Sequence, residues 1–326
     1  MDKSMYDIVI VGMGPAGYTA SIYASRYKLK NQVIGKLMGG LIGESHKVCN
    51  YPTEDEISGL ELMMKMQQHA KNLGASELYE GIVDIQRRTD GTFCLTTEQG
   101  NKTYGRSVLL ATGLKHRTLN VPGEQELRGR GVAYCATCDG FFYRNKTVAV
   151  IGGGDSALSA AVYLSEIAKK VYLIYRGEKL RGEPAWIDLL SGSEKVEILC
   201  NTNVTAIHGT NRVERIDLDQ PYNGASSLNI DGIFIEIGAE PDRTLISSLG
   251  LETDSKGYVV VGPDQSTSLD GVYAAGDITT ASNYFKQVIT ASSEGAIAAQ
   301  SIFSYLSRQT GVRTSVETAK TIKVRV

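Results

Sequence analysis

The chain has 326 residues, more than one hydrophobic core usually serves, so two domains with a sizeable core in each are expected. Its 34 basic and 36 acidic residues nearly cancel to a formal charge of -2, and no long run of either sign marks a nucleic-acid arm or a membrane-seeking patch. Five cysteines, an odd number in a chain this long, argue against a secreted disulfide framework, and with no charged-then-apolar leader in view the expected setting is reducing and cytoplasmic.

The apolar stretch from Met5 to Ala24 is interrupted by Asp7, Gly12, Gly14, Pro15 and Gly17, which leaves it short of the roughly 20 residues of a spanning helix. It reads as strand, turn and helix. In Gly12-Met-Gly-Pro-Ala-Gly17 the first glycine suits a tight turn, Gly14 lets backbone approach a pyrophosphate, and Gly17 allows close helix packing. Pro15 and Ala16 open a helix whose N-terminus offers free N–H groups to that diphosphate. Alone the motif is weak, because a tight turn that binds nothing reads the same way. The acidic residue that usually accepts a ribose hydroxyl about 20 residues onward is missing. The region reads Val33-Ile-Gly-Lys-Leu-Met38 with no carboxylate before Glu44, so backbone or Lys36 is expected to hold the ribose.

A glycine-punctuated loop spans Met38 to Pro52, and an amphipathic helix is expected from Gly59 to Leu73, with Leu60, Met63, Met64 and Ala70 as core filling. A strand follows at Ser107-Val-Leu-Leu-Ala-Thr-Gly113.

Cys135-Ala-Thr-Cys138-Asp139 is the most informative segment. Two thiols separated by two residues can close a small disulfide ring, with one thiol acidified for attack and the other resolving. Zinc is the rival reading, but a closed structural site needs four ligands in paired spacing. There is no second C-x-x-C, and the histidines at 46, 69, 116 and 208 stand singly. Asp139 reads either as a general acid beside a thiolate or as a solvated turn residue before Gly140. Cys49, Cys94 and Cys200 lie in or beside apolar, strand-like sequence and are assigned no chemistry.

Thr147-Val-Ala-Val-Ile-Gly-Gly-Gly-Asp-Ser-Ala157 repeats the layout of the first strand, glycine turn and helix, so a second dinucleotide site is expected at Gly152, Gly154, Asp155, Ser156 and Ala157. A further strand, Gly271-Val-Tyr-Ala-Ala-Gly-Asp277, comes much later. This order predicts an α/β protein with two Rossmann-like βαβ nucleotide-binding domains, the second inserted into the first. The first would comprise 1–114 and 243–326, and the inserted one, carrying the dithiol, 115–242. From Ser307 to Val326 periodicity is lost, which predicts a disordered tail or an arm packed on a neighbouring subunit.

Together these segments, with Gly39-Gly40, Asn50-Tyr-Pro52, Ala111-Thr-Gly113, Tyr134-Cys-Ala-Thr-Cys-Asp-Gly140 and Phe285-Lys-Gln-Val288, resemble the low-molecular-weight thioredoxin reductases along nearly the whole chain. The resemblance implies FAD on the first domain, touched by the loop at 12–17, Gly40, Asn50, Thr112 and Gly113. It places Gly276 and Asp277 toward the ribitol, and Lys286, Gln287 and Val288 beside the isoalloxazine. It further implies a homodimer, attack at Cys138 from the flavin side, Cys135 facing oxidised thioredoxin, and an inserted domain that rotates on strands near Lys115 and Gly238.

One segment departs from that pattern. NADPH-binding members carry a His-Arg-Arg-x-x-x-Arg cluster that clamps the 2'-phosphate, where this chain reads Tyr175-Arg-Gly-Glu-Lys-Leu-Arg181. Arg176 and Arg181 remain, and Gly177 replaces one arginine. Leu158-Ser-Ala-Ala161 also stands where the family commonly has two glutamates. Three donors fit these residues: NADPH bound more weakly, NADH, or reduced ferredoxin, as in the pyridine-nucleotide-independent branch. The substrate could also be another thioredoxin-fold protein, and two other functions are weighed. A ferredoxin-NADP oxidoreductase would need no cysteine pair, and a nucleotide-sensing regulator would leave the dithiol without purpose.

Overall fold

A computed structural model describes residues 5–309 of the protein. By their contacts the described residues divide into one unit of 5–38, 65–113 and 242–309 and a second of 39–64 and 114–241. The stretch 39–64, which the sequence reading placed in the first domain, packs with the second unit.

The first unit opens with β1 (Met5–Val11), whose second half is buried on both faces, as a parallel central strand requires. Helix α1 (Pro15–Arg26) follows, then β2 (Asn31–Ile34). Helix α2 (Gly59–Asn72), whose residues 59–64 are grouped with the second unit and 65–72 with the first, starts where the Ser58 hydroxyl accepts the Glu61 N–H at 3.2 Å. Its apolar stripe differs from expectation: Leu62, Met63 and Ala70 are buried, while Leu60 and Met64 are about half exposed. At about 100° per residue, Met64 is turned well away from the Met63–Ala70 face. Strands β3 (Ser76–Leu78), β4 (Ile82–Arg87), β5 (Phe93–Thr97) and β6 (Lys102–Leu110) complete this stretch.

Besides 39–64, the second unit comprises β7 (Leu114–His116), β8 (Val132–Ala133), the single turn α3 (Ala136–Asp139), β9 (Thr147–Ile151), α4 (Asp155–Ile167), β10 (Lys170–Ile174) and α5 (Pro184–Ser191). Then come β11 (Val196–Leu199), β12 (Val204–His208), β13 (Arg215–Tyr222), β14 (Ala225–Asn229), β15 (Gly232–Ile235) and β16 (Ala239–Pro241). Its parallel sheet runs β11-β10-β9-β15-β8, with a β12-β13-β14 antiparallel sheet beside it in sequence. The first and last strands of the unit, β7 and β16, pair antiparallel with Lys115 opposite Glu240.

The chain then returns to the first unit through α6 (Arg243–Ser248), β17 (Val272–Ala274) and α7 (Val288–Gln309). Here the sheet order is β3-β2-β1-β6-β5-β4, with β17 paired to β6. β1, β2, β3, β6 and β17 are joined by parallel pairings, whereas β4, β5 and β6 form an antiparallel meander. Both units are therefore α/β with Rossmann-like parallel sheets, as expected. Helix α7 extends through residues 307–309, where the tail was expected to begin, because Leu306 is buried and the Ser307 hydroxyl donates to the Phe303 carbonyl at 2.8 Å. The rest of the expected tail, 310–326, lies outside the described residues.

Candidate functional site

Three groups of predicted residues are each assembled within a unit. In the first unit the carboxyl ends of β1, β6 and β17 meet, the position at which open parallel sheets bind nucleotides. Gly12 follows β1 with φ +128°, and a Cβ there would lie 2.0 Å from the Ala111 carbonyl oxygen, so only glycine fits. Gly14 caps α1 with no side-chain acceptor, Pro15 sits in the first turn and Ala16 and Gly17 are buried, which leaves the helix N-terminus free for an anion. Thr112 and Gly113 continue from Ala111, and Gly276 approaches Ala16 so closely that a Cβ would come within 3.0 Å of its methyl.

Asp277, partly covered beside that turn, is pushed up to about 6, first by burial and then by Glu294, against the pull of Lys286. Glu294, itself buried, accepts the Gly276 N–H at 2.8 Å and the Thr279 and Ser282 hydroxyls at 2.9 and 2.6 Å, which fixes the turn. Lys286 donates to the Thr279 carbonyl at 2.6 Å, and burial lowers its affinity for a proton. Gln287 and Val288 lead into α7, with Val288 buried. Lys36, an expected ribose ligand, is ion-paired with Glu98. Gly40 and Asn50, expected at the same cofactor, pack with the second unit.

In the second unit Cys135 and Cys138 are joined by a disulfide. Cys135 caps α3, its Sγ accepting the Cys138 N–H at 3.0 Å, which draws the two residues into one helical turn. Asp139 closes that turn, and burial, then the Glu44 carboxylate, raises its carboxyl above the usual range. The Glu44 carbonyl oxygen lies 3.9 Å from Cys135 Sγ, and Glu44 Oε2 is 2.8 Å from His116 Nε2. Glu236, just past β15, bonds the Ser156 hydroxyl and the Ala136 N–H between the two cysteines; burial and then Glu44 push it up to about 8. Phe141 and Phe142, directly after the dithiol turn, are 64% and 69% exposed.

Sequence reading missed Glu44, His116 and Glu236 as neighbours of the dithiol, and it passed over the two phenylalanines. Glu44 and His116 are separated by 72 positions, and no local pattern joins them. The phenylalanines had a signal in their adjacency to the cysteines. Among the described residues, no group of three or more His, Cys, Asp and Glu side chains is placed to hold a metal ion.

The second glycine loop lies at the end of β9 in the same unit. A Cβ at Gly152 would come 2.2 Å from the Glu236 carbonyl oxygen. Gly154 caps α4 with open space before it and no side-chain acceptor, so this helix N-terminus is also free for an anion. Asp155 is turned aside to accept the Glu183 N–H at 2.6 Å, and Ala157 is fully buried against the sheet. The Tyr175 ring lies flat on Gly153 and Gly177, where a Cβ would meet it at 2.5 and 2.6 Å. Arg176 and Arg181 are exposed, with the Arg181 guanidinium 5.6 Å from the Tyr175 ring centre.

Residues 6–295 match the family described as pyridine nucleotide-disulphide oxidoreductase. A thioredoxin reductase of Bacillus subtilis (strain 168) is 39% identical over 326 residues, covering 99% of both chains. Among solved structures, the Lactococcus lactis thioredoxin reductase in its FR conformation has a TM-score of 0.87 at 34% identity, covering 93% of this chain and 99% of that one. A ferredoxin-flavin thioredoxin reductase from Clostridium acetobutylicum has a TM-score of 0.52 at 29% identity, covering 95% of this chain and 99% of that one.

Proposed function

This chain belongs to the pyridine nucleotide-disulphide oxidoreductase family, and from that premise we propose that it is an FAD-dependent thioredoxin reductase. The observation that carries the reading is the Cys135–Cys138 disulfide in one helical turn, in a chain 39% identical along its length to a thioredoxin reductase. A dedicated cysteine pair argues against a ferredoxin-NADP oxidoreductase.

The first-unit site fits FAD: a free helix N-terminus behind a turn that only glycine can make suits its diphosphate, and Asp277 suits a sugar-alcohol hydroxyl. Gly12, Gly14, Pro15, Ala16, Gly17, Thr112, Gly113, Gly276, Asp277, Lys286, Gln287 and Val288 would hold it. When bound, FAD supplies a carrier that accepts electrons from the donor and passes a pair to a disulfide. In domain terms, 5–38, 65–113 and 242–309 would form the FAD-binding domain and 114–241, with 39–64 packed on it, the inserted domain.

The protein's own residues then perform thiol–disulfide exchange. Opening the disulfide to one thiol and one thiolate consumes two electrons and one proton, which Asp139, kept protonated by burial to higher pH than an ordinary aspartate, supplies. The Cys135 thiolate attacks one sulfur of oxidised thioredoxin, forming a mixed disulfide and expelling the partner's other thiolate. Cys138 then attacks Cys135, which releases reduced thioredoxin and restores the internal disulfide. Phe141 and Phe142 offer a partner protein an apolar rim next to those sulfurs.

NADPH is the donor best supported by the open face of Gly154, the uncapped α4 and the exposed Arg176 and Arg181. Reduced ferredoxin is the second reading, favoured by Tyr175 and Gly177 in the phosphate clamp and by the likeness to the Clostridium enzyme. The protein would act as a homodimer in the cytoplasm; no helix among its described residues is long and apolar enough to cross a membrane.

The test is anaerobic bleaching of the bound flavin by NADPH, NADH and reduced ferredoxin in turn, followed by oxidised thioredoxin. NADPH should bleach it within seconds at micromolar concentration, and thioredoxin should restore the colour. Cys135→Ser and Cys138→Ser should keep the flavin and lose thioredoxin reduction. Full activity in either variant would end the proposal.

A further inference from the structure

Residues distant in sequence converge on the dithiol within the second unit. Glu44, the last residue of a short turn that starts at Gly40, presents two groups: its main-chain carbonyl lies 3.9 Å from Cys135 Sγ, and its carboxylate lies 2.8 Å from His116 Nε2 on β7. The His116 ring is 5.8 Å from that of Tyr134, the residue before Cys135. Tyr134 is tied by its hydroxyl to the buried Glu124 at 2.6 Å and lies under the Arg128 guanidinium. Asp139 on α3 and Glu236 after β15 face the Glu44 carboxylate from the other elements. Three carboxyl groups thus surround the cysteine turn, and one of them, Glu44, is paired with an imidazole.

We propose that Glu44 and His116 form a positioning pair that sets the protonation of Cys135 once the disulfide has opened. In the disulfide Sγ carries no proton, and the Glu44 carbonyl is only a neighbour. After reduction that carbonyl is the acceptor at hand for the Cys135 S–H, which favours the thiol. The carboxylate on the same residue disfavours a thiolate by like charge. The imidazole opposes this, because its N–H is bonded to the carboxylate and draws the negative charge toward itself. Glu44 therefore holds Cys135 as a protected thiol, and His116 limits how far that protection goes. The inference rests on the reading of Cys135 as the partner-facing thiol of a redox pair.

The test uses the full-length, flavin-bound protein carrying Cys138→Ser, so that Cys135 is a free thiol. Its alkylation by iodoacetamide is followed against pH on the Cys135 peptide by mass spectrometry, which separates it from Cys49, Cys94 and Cys200. Added Glu44→Gln should move the alkylation midpoint down by about one unit, close to a tenfold faster reaction below the midpoint. Added His116→Phe should move it up by about half a unit, because the carboxylate then stands unpaired. If either variant fails to fold, Glu44→Ala and His116→Asn carry the same opposite signs. Midpoints that stay put, or that move in one direction for both variants as general loosening would cause, overturn the proposal. Neither thioredoxin nor an electron donor enters this measurement, so a wild-type protein unable to reduce thioredoxin would sink the functional reading without deciding this one.

Discussion

Cys135 occupies the cap of a single helical turn, and that placement makes two cysteines three positions apart into one reactive unit. Their chemistry was readable from the two-residue spacing together with the lack of a second pair to complete a zinc site. Asp139 was not so clear: a carboxyl before a glycine is as often a solvated turn residue. Burial, and then the facing Glu44, hold its proton to higher pH, which is the property the acid role requires. A proton donor works in its protonated form, so the wild-type rate of disulfide opening should fall as pH rises through this raised value. Asp139→Asn should be slower by about a hundredfold or more at the acid end and flat across that range. Stopped-flow recording of dithiol-linked flavin reoxidation against pH would check this. An unchanged profile would return Asp139 to a turn role.

At the scale of elements, the glycine loops were legible because their spacing states a steric requirement. A Cβ at position 12 would fall 2.0 Å from the Ala111 oxygen in a left-handed backbone, so Gly12→Ala should cost about 1–3 kcal/mol and empty the flavin site. Absorbance at 450 nm relative to 280 nm, with a denaturation curve, measures both. The segment after β10 was legible only in part. The loss of an arginine at Gly177 is visible in sequence, but the place of Tyr175 is not. Its ring lies across Gly177, where a Cβ would meet it at 2.6 Å, so Gly177→Arg alone should gain little. Tyr175→His with Gly177→Arg should lower the NADPH Kd about tenfold and leave NADH unchanged. Titration with both nucleotides decides it, and an equal gain for NADH would show that phosphate is not what the added arginine reads. The stripe of α2 was misread at Leu60 and Met64 for a related reason: methionine and leucine are apolar all round the helix, so composition does not say which of them faces inward.

Across the whole molecule, buried acids make stability depend on pH. Glu236 is held near 8 in the folded chain, while an unfolded glutamate titrates near 4.3. Between those values the unfolded chain has released a proton that the folded one keeps, so stability falls as pH rises through the window and is unaffected by this group below it. Asp277, near 6, adds in the same direction. Glu236→Gln does not titrate, and its advantage over wild type should grow from nothing at pH 4 to about 2 kcal/mol at pH 8, allowing for the residue's partial exposure. Urea denaturation at the two pH values measures it, and a constant difference would contradict the assignment. What the sequence determined by itself was what a fixed spacing states: the strands β1, β6, β9 and β17, the glycine turns, the α/β class and the cysteine pair, because each is dictated by backbone sterics within a few residues. Tertiary structure alone decided that residues 39–64 pack with 114–241, that Glu44 and His116 meet beside Cys135, and that Glu236 reaches the turn between the cysteines. Such contacts join residues many positions apart, and their energies come from burial and charge proximity, which a chain acquires only when its distant segments have been brought together.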